Sequence, residues 1–324
     1  MEEQERAARG REPACQPAAW SQPVRAPGPR RAGRLPPTEW YPAHDPLVRV
    51  RRLRLPTGLH VRVAEAGPPD GAPVVLVHGW ACSIYSFRFQ LPALAAAGYR
   101  AIAFDLKGHG LSDKPTDARE YTPIAMRDFA RAVLDALAID RADLVGHSLG
   151  GGVAAQVALH DASRVARLAV ISAVGFGSVR WLPALRRVPS AVVAWPLAHG
   201  LVPMPRWLWH LVLHAVAGRR RPYSRRDVDE YWAETQFRAF PLALWQLVRQ
   251  YAWAPLTPAE RERLPRPTLA IFGSLDPLVD RRAGPPTAGD PPIVVDGAGH
   301  APQEEAPEEV NELLLRFLAE GRSR

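Results

Sequence analysis

Three short motifs carry residue types that can break an acyl bond together. The first is Gly146-His147-Ser148-Leu149-Gly150, which has the form G-x-S-x-G. Alone it is weak, since at ordinary Gly and Ser usage a chain this long matches it by chance on the order of 0.1 times. Its context adds weight: an apolar strand pattern over residues 143–145 runs in, and a helical pattern over 149–160 runs out. A strand-to-helix turn this tight strains the serine backbone and exposes its Oγ. It also aims the positive end of the helix at a developing oxyanion.

A serine needs a base, and the base needs an orienting acid. Of the ten histidines, His300 has the right setting, in Asp296-Gly297-Ala298-Gly299-His300 directly after a short apolar strand. Asp276 follows another such strand in Gly273-Ser274-Leu275-Asp276-Pro277. The chain order Ser148, Asp276, His300 is that of nucleophile-elbow enzymes. Asp280 and Asp296 are alternative acids, read first as a helix cap and as a turn former. Asp105 and His109 read as part of a tight, self-bonded loop. Two oxyanion donors are also required. The backbone N–H groups of Leu149 and of Trp80, in His78-Gly79-Trp80, are the expected pair. His78 is expected to bond loop backbone, and Cys82 to be a small buried residue.

The elements that must position these residues follow from periodicity. Residues 47–54 and 59–65 alternate apolar and polar around Pro56-Thr57-Gly58 and predict an antiparallel hairpin. Residues 74–77, 101–104, 144–145, 168–172, 269–272 and 293–295 are short, fully apolar runs separated by helical patterns. That alternation predicts a parallel sheet covered on both faces, the α/β class. Each candidate residue then falls at the carboxyl end of a strand, where open α/β sheets hold their sites. Helices are expected over 123–138, 149–160 and 308–319. Residues 1–46, with nine prolines and almost no large aliphatics, read as a disordered Pro/Arg-rich tail in which Trp20, Trp40 and Tyr41 can dock locally. Residues 174–263 interrupt the alternation and read as a helical cap, leaving 47–173 and 264–324 as the core.

Composition narrows the function. The 324 residues carry 41 basic and 33 acidic side chains, a net charge of +8. Residues 174–263 hold 13 basic against 6 acidic residues and seven of the ten tryptophans. The excess charge therefore sits largely on the cap, and no nucleic-acid motif accompanies it. Two cysteines, Cys15 and Cys82, exclude a disulfide scaffold and a cysteine zinc set. No metal or organic cofactor is expected. Without an apolar h-region behind the mixed-charge N-terminus, no secretory signal is expected and a cytoplasmic location is. The uncharged run 188–204 is broken by three prolines and reads as buried helix rather than a span. Cap tryptophans Trp181, Trp207, Trp209 and Trp245 are candidates to line a pocket for a bulky or apolar group. The arginine-rich run 219–226 beside apolar residues 188–217 reads first as a solvated loop, and second as a weak contact with an anionic membrane surface.

These motifs closely resemble the α/β-hydrolase superfamily. The matching pieces are HGW at 78–80, DLKGHGLSDKP at 105–115, GHSLGG at 146–151, GSLDPL at 273–278 and GAGHAPQEEAPEEV at 297–310. The resemblance implies a mixed sheet of about eight strands with a variable cap inserted after the sixth. The flanks of the oxyanion loop look like the epoxide-hydrolase and haloalkane-dehalogenase branch, whose nucleophile is an aspartate. Serine at 148 points instead to an esterase or lipase-like enzyme on a small-molecule ester. Cofactor-free perhydrolysis (haloperoxidase-like), C–C bond hydrolysis by the same triad, and a non-catalytic receptor on this fold are the alternatives.

Overall fold

The computed structural model describes residues 33–180, 182–199, 204–265, 267–283 and 291–320. β1 (Val48–Arg54) and β2 (His60–Ala66) form the expected hairpin, closed by Gly58 at φ +85°. β3 (Pro73–Val77), β4 (Arg100–Phe104), β5 (Ala142–His147) and β6 (Val165–Ile171) follow. The two-residue strands β7 (Ser178–Val179) and β9 (Val279–Asp280) pair with each other apart from the main sheet. β8 (Thr268–Gly273) and β10 (Ile293–Val295) complete an eight-stranded sheet in the order β1-β2-β4-β3-β5-β6-β8-β10. β1–β2 and β2–β4 are antiparallel and every later pairing is parallel.

The helices are α1 (Gln90–Ala96), α2 (Pro123–Ala136), α3 (Leu149–His160), α4 (Leu182–Arg186), α5 (Ser190–Ala198), α6 (Arg206–Val216), α7 (Arg225–Ala233), α8 (Ala239–Gln250), α9 (Pro258–Glu262), α10 (Pro302–Glu305) and α11 (Pro307–Ala319). The apolar strands feed two cores because successive side chains leave opposite faces. Val75, Val77, Ile102 and Phe104 pack with α2, α3 and α8. Val74, Leu76, Ala101 and Ala103 pack with α1 and α11. α2 starts as its sequence predicts, with Pro123 in the first turn and the Thr122 hydroxyl accepting from the Ala125 N–H at 3.2 Å. α4 to α9 lie between β6 and β8, in the stretch read as a cap, and β7 is a strand that this reading did not include.

Residues 33–46 are ordered, unlike the expected disordered tail, and Trp40 and Tyr41 dock as the sequence allowed. Trp40 is buried, its Nε1–H donates to the Leu35 carbonyl at 3.0 Å, and its ring meets Phe237 edge-on at 5.8 Å. The Tyr41 N–H donates to Glu230 at 2.9 Å, and the Arg34 guanidinium lies 4.4 Å from the Trp232 ring centre. Counting aliphatics undervalues such a segment, since a single buried Trp removes on the order of 200 Å² from water. Residues 1–32 lie outside the described residues. Among the described residues no helix is long and apolar enough to cross a membrane.

Candidate active site

β5 delivers Ser148 to the N-cap of α3 at φ 50°, ψ −117°, a backbone conformation that L-residues rarely adopt. The turn holds because its neighbours over-determine it. The Ser148 N–H donates to the Ile171 carbonyl at 2.9 Å, and its carbonyl accepts from Val174 at 3.0 Å. The glycine after Leu149 is required by space: a Cβ on Gly150 would stand 2.0 Å from the Val77 carbonyl oxygen. α3 is thereby pressed against the end of β3, beside the His78-Gly79-Trp80 loop.

The loops after β8 and β10 bring the other two residues to Ser148. His300 Nε2 lies 3.0 Å from Ser148 Oγ, and His300 Nδ1 lies 3.1 and 3.0 Å from the two Asp276 carboxylate oxygens. Asp276 also accepts from the N–H groups of Leu278 and Val279 at 2.8 and 3.1 Å. Burial pushes its carboxyl up, but the imidazole and the two amides outweigh burial and hold it below its ordinary 3.8. It is therefore a carboxylate at neutral pH, facing the ring nitrogen that the serine does not use.

The competing acids lie elsewhere. Asp280 pairs with Arg180 at 3.0 Å and caps the Arg282 N–H. Asp296 accepts from Ser274 Oγ at 3.1 Å. Asp105 is bonded twice by Arg62 and accepts from the amides of Ile84 and Leu111. His78 accepts from the Leu106 N–H through Nε2 at 2.9 Å and contacts the Gly79 carbonyl through Nδ1 at 2.8 Å. Burial pushes it down to about 4, so it is a neutral strut between the two loops, as its sequence setting predicts.

Two contacts at the site carry no sequence signature. His147 Nε2 lies 3.0 Å from the His300 carbonyl oxygen. A carbonyl only accepts, so Nε2 carries the proton and Nδ1 is an unpartnered buried acceptor. Burial, then the neighbouring His300, push His147 down to about 3. The chain after α6 is also clamped to the histidine loop. His300 N–H donates to Val216 O at 2.9 Å, Arg219 N–H to Gly297 O at 2.6 Å, and Gly218 N–H to Glu305 at 2.6 Å. A Cβ on Gly218 would stand 2.2 Å from the Gly297 carbonyl oxygen.

Ser148 and His300 open on a cavity of about 240 Å³ with an almost wholly apolar lining. α6 contributes Trp209, Leu213 and Val216 to it, and Trp80, Leu244 and Trp253 line it elsewhere. The cap tryptophans named from sequence separate here. Trp209 lines the cavity, Trp207 is 65 % exposed away from it, and Trp245 is buried in the core without reaching it. Trp181 lies outside the described residues. Cys82 lines the wall, and burial pushes its thiol well up, so it is no thiolate nucleophile.

An eight-stranded, mostly parallel sheet with a strained serine at the β5–α3 turn defines a class of hydrolases. The sequence profile of the α/β-hydrolase fold matches residues 72–307, and the chain belongs to that family. Among curated relatives, a haloalkane dehalogenase of Mycobacterium marinum is 32 % identical over 272 residues, covering 80 % of this chain and 89 % of its own. Epoxide hydrolase A of Mycobacterium tuberculosis is 28 % identical over 310 residues, covering 82 % and 96 %. Among solved structures, a carboxylesterase of Bacillus subtilis superposes with a TM-score of 0.66 at 21 % identity, covering 84 % and 91 %, a likeness of fold alone.

Proposed function

We propose that this protein is a serine esterase that hydrolyses small carboxylic esters with an apolar acyl or alcohol group. The observation that carries the reading is the hydrogen-bond chain from Ser148 through His300 to Asp276 at the mouth of an apolar cavity. In this reading His300 takes the Ser148 proton as Oγ attacks the acyl carbonyl, and Asp276 stabilises the imidazolium. The amides of Leu149 and Trp80 bind the oxyanion. Collapse expels the alkoxide, which takes the proton from His300 and leaves as the alcohol. Water, deprotonated by His300, then attacks the acyl-enzyme, and the acid is released as Ser148 regains its proton. The apolar lining of the cavity favours an apolar group on the acyl or alcohol side of the ester.

The relatives named as a dehalogenase and an epoxide hydrolase raise a second reading, attack on carbon bearing halide or epoxide oxygen. Serine disfavours it on chemical grounds. Displacement by a carboxylate leaves an alkyl ester that water can cleave, whereas displacement by Ser148 would leave an inert alkyl ether. A panel of p-nitrophenyl esters of increasing acyl length, run beside a halide-release assay on haloalkanes, tests the choice. The esterase reading expects turnover of the esters and no halide; halide release without ester turnover overturns it.

In this reading His147 is a positioning residue that holds the His300 carbonyl and so the imidazole. His147→Leu should lower kcat on the order of tenfold with KM nearly unchanged, and His147→Gln, which keeps a donor, should recover most of it. The same residue makes a pH prediction. Its folded pKa of about 3 lies below the unfolded 6.5, so between those values the unfolded chain binds the extra proton and stability falls as pH falls. Gln cannot take that proton. The variant should therefore gain on wild type by about 1.4 kcal/mol per pH unit from pH 6 to 4, read by denaturant unfolding. A pH-independent difference would contradict a neutral buried His147.

Gly218→Ala tests the clamp behind α6. The added Cβ must displace the 297–299 backbone. Expected are a kcat loss of about 10–100-fold and a destabilisation of about 1–3 kcal/mol. Unchanged kinetics would mean that the histidine loop does not depend on this contact.

A further inference from the structure

The outer face of α6 carries a run of exposed apolar side chains. Trp207, Leu208, Leu211 and Val212 are 65, 37, 56 and 44 % exposed, side by side on one helix. The opposite face, Trp209 and Leu213, is buried over the cavity. Both faces of this helix are therefore apolar. Its exposure is held in place, because the chain leaving its C-terminus is bonded to the histidine loop through Val216, Gly218 and Arg219.

The chain segment that carries this patch holds charge of one sign. Residues 204–226 contain six arginines and two histidines and no aspartate or glutamate. Arg206, Arg220 and Arg226 have ion pairs with Asp229, Glu309 and Glu230. Arg219 and Arg225 are exposed and have no ion pair among the described residues. Arg206, Trp207, His210 and Arg225 border one groove between α6 and α7. Exposed tryptophan and leucine on a helix flanked by arginine is the composition of a helix that lies in a membrane interface. A second copy docking through the same face would bring the two arginine sets together, whereas an anionic bilayer supplies the opposite charge.

We infer that α6 docks this protein on an anionic lipid surface, with Trp207 and Leu211 in the interface and the arginines on the headgroups. Leu208 and Val212 belong both to this patch and to the cavity lining. On the esterase reading, which this second step rests on, the bound enzyme draws its ester from the lipid phase past these two residues.

The test is vesicle flotation of Ser148→Ala protein, so that docking is read apart from catalysis. Vesicles of phosphatidylcholine alone are compared with vesicles containing phosphatidylglycerol, at low and high salt. Flotation with the anionic vesicles should exceed that with neutral ones by roughly tenfold and fall with salt. Trp207→Ser with Leu211→Ser should reduce it by at least about tenfold. The same pair of changes in the active protein should leave turnover of a water-soluble ester and the Tm unchanged. Arg219→Gln with Arg225→Gln should weaken the salt dependence. Equal flotation with both vesicles, flotation that survives the Trp207/Leu211 changes, or self-association through this face without flotation overturns the inference. Flotation by a protein inactive on every ester leaves docking standing and removes the esterase reading alone.

Discussion

Ser148→Ala should abolish ester hydrolysis, with a loss on the order of 10^5 or more in kcat and an unchanged fold. The hydroxyl supplies the bond that splits one hard step into two, and no other group near the cavity replaces it. His300 and Asp276 would remain in place, yet without Oγ they activate only water. Ser148→Gly extends the prediction to stability. The residue sits at φ 50°, ψ −117°, where glycine has no Cβ to strain. Relief of that strain, about 1–3 kcal/mol, outweighs the extra unfolded-state entropy of glycine of about 0.5–1 kcal/mol. The glycine variant should therefore be inactive and more stable by about 1 kcal/mol. An inactive but less stable variant would show that the turn is not strained.

Asp276→Asn is the second large effect. The carboxylate accepts from His300 Nδ1 and from two backbone amides. An asparagine keeps the shape but can present its NH2 to Nδ1, favouring the tautomer that leaves Nε2 protonated and unable to accept from Ser148. The expected loss in kcat is about 10^4-fold, with little change in KM. Asp280→Asn is the control. Its pair with Arg180 is open to solvent and screened by it, so activity should stay within about twofold of wild type. The reverse ranking would move the acid to Asp280.

Most of what positions the candidate site is legible in the sequence because it is local. Apolar runs of strand length, followed directly by Ser148, Asp276 and His300, place all three on one edge of a parallel sheet before any coordinates are known. Features set by contacts between distant segments are not legible. Trp207 and Trp209 are two residues apart on α6 and so point to nearly opposite sides; which one faces the cavity depends on how the helix lies on the sheet. His147 reads only as the variable position of a pentapeptide until the His300 carbonyl, 153 residues away, is seen against its ring. Gly218 is an unremarkable glycine until Gly297 is found on top of it. Residues 33–46 fail for another reason: a few aromatics bury enough area to order a segment whose average composition reads as disordered.

The central claim is that Ser148 is the nucleophile, and a fluorophosphonate reports it most directly. The protein should take up one equivalent by intact mass, the adduct should map to Ser148, and labelling should vanish in Ser148→Ala and slow sharply in Asp276→Asn. Active protein that takes up no label, or an adduct on any residue other than Ser148, would contradict the account.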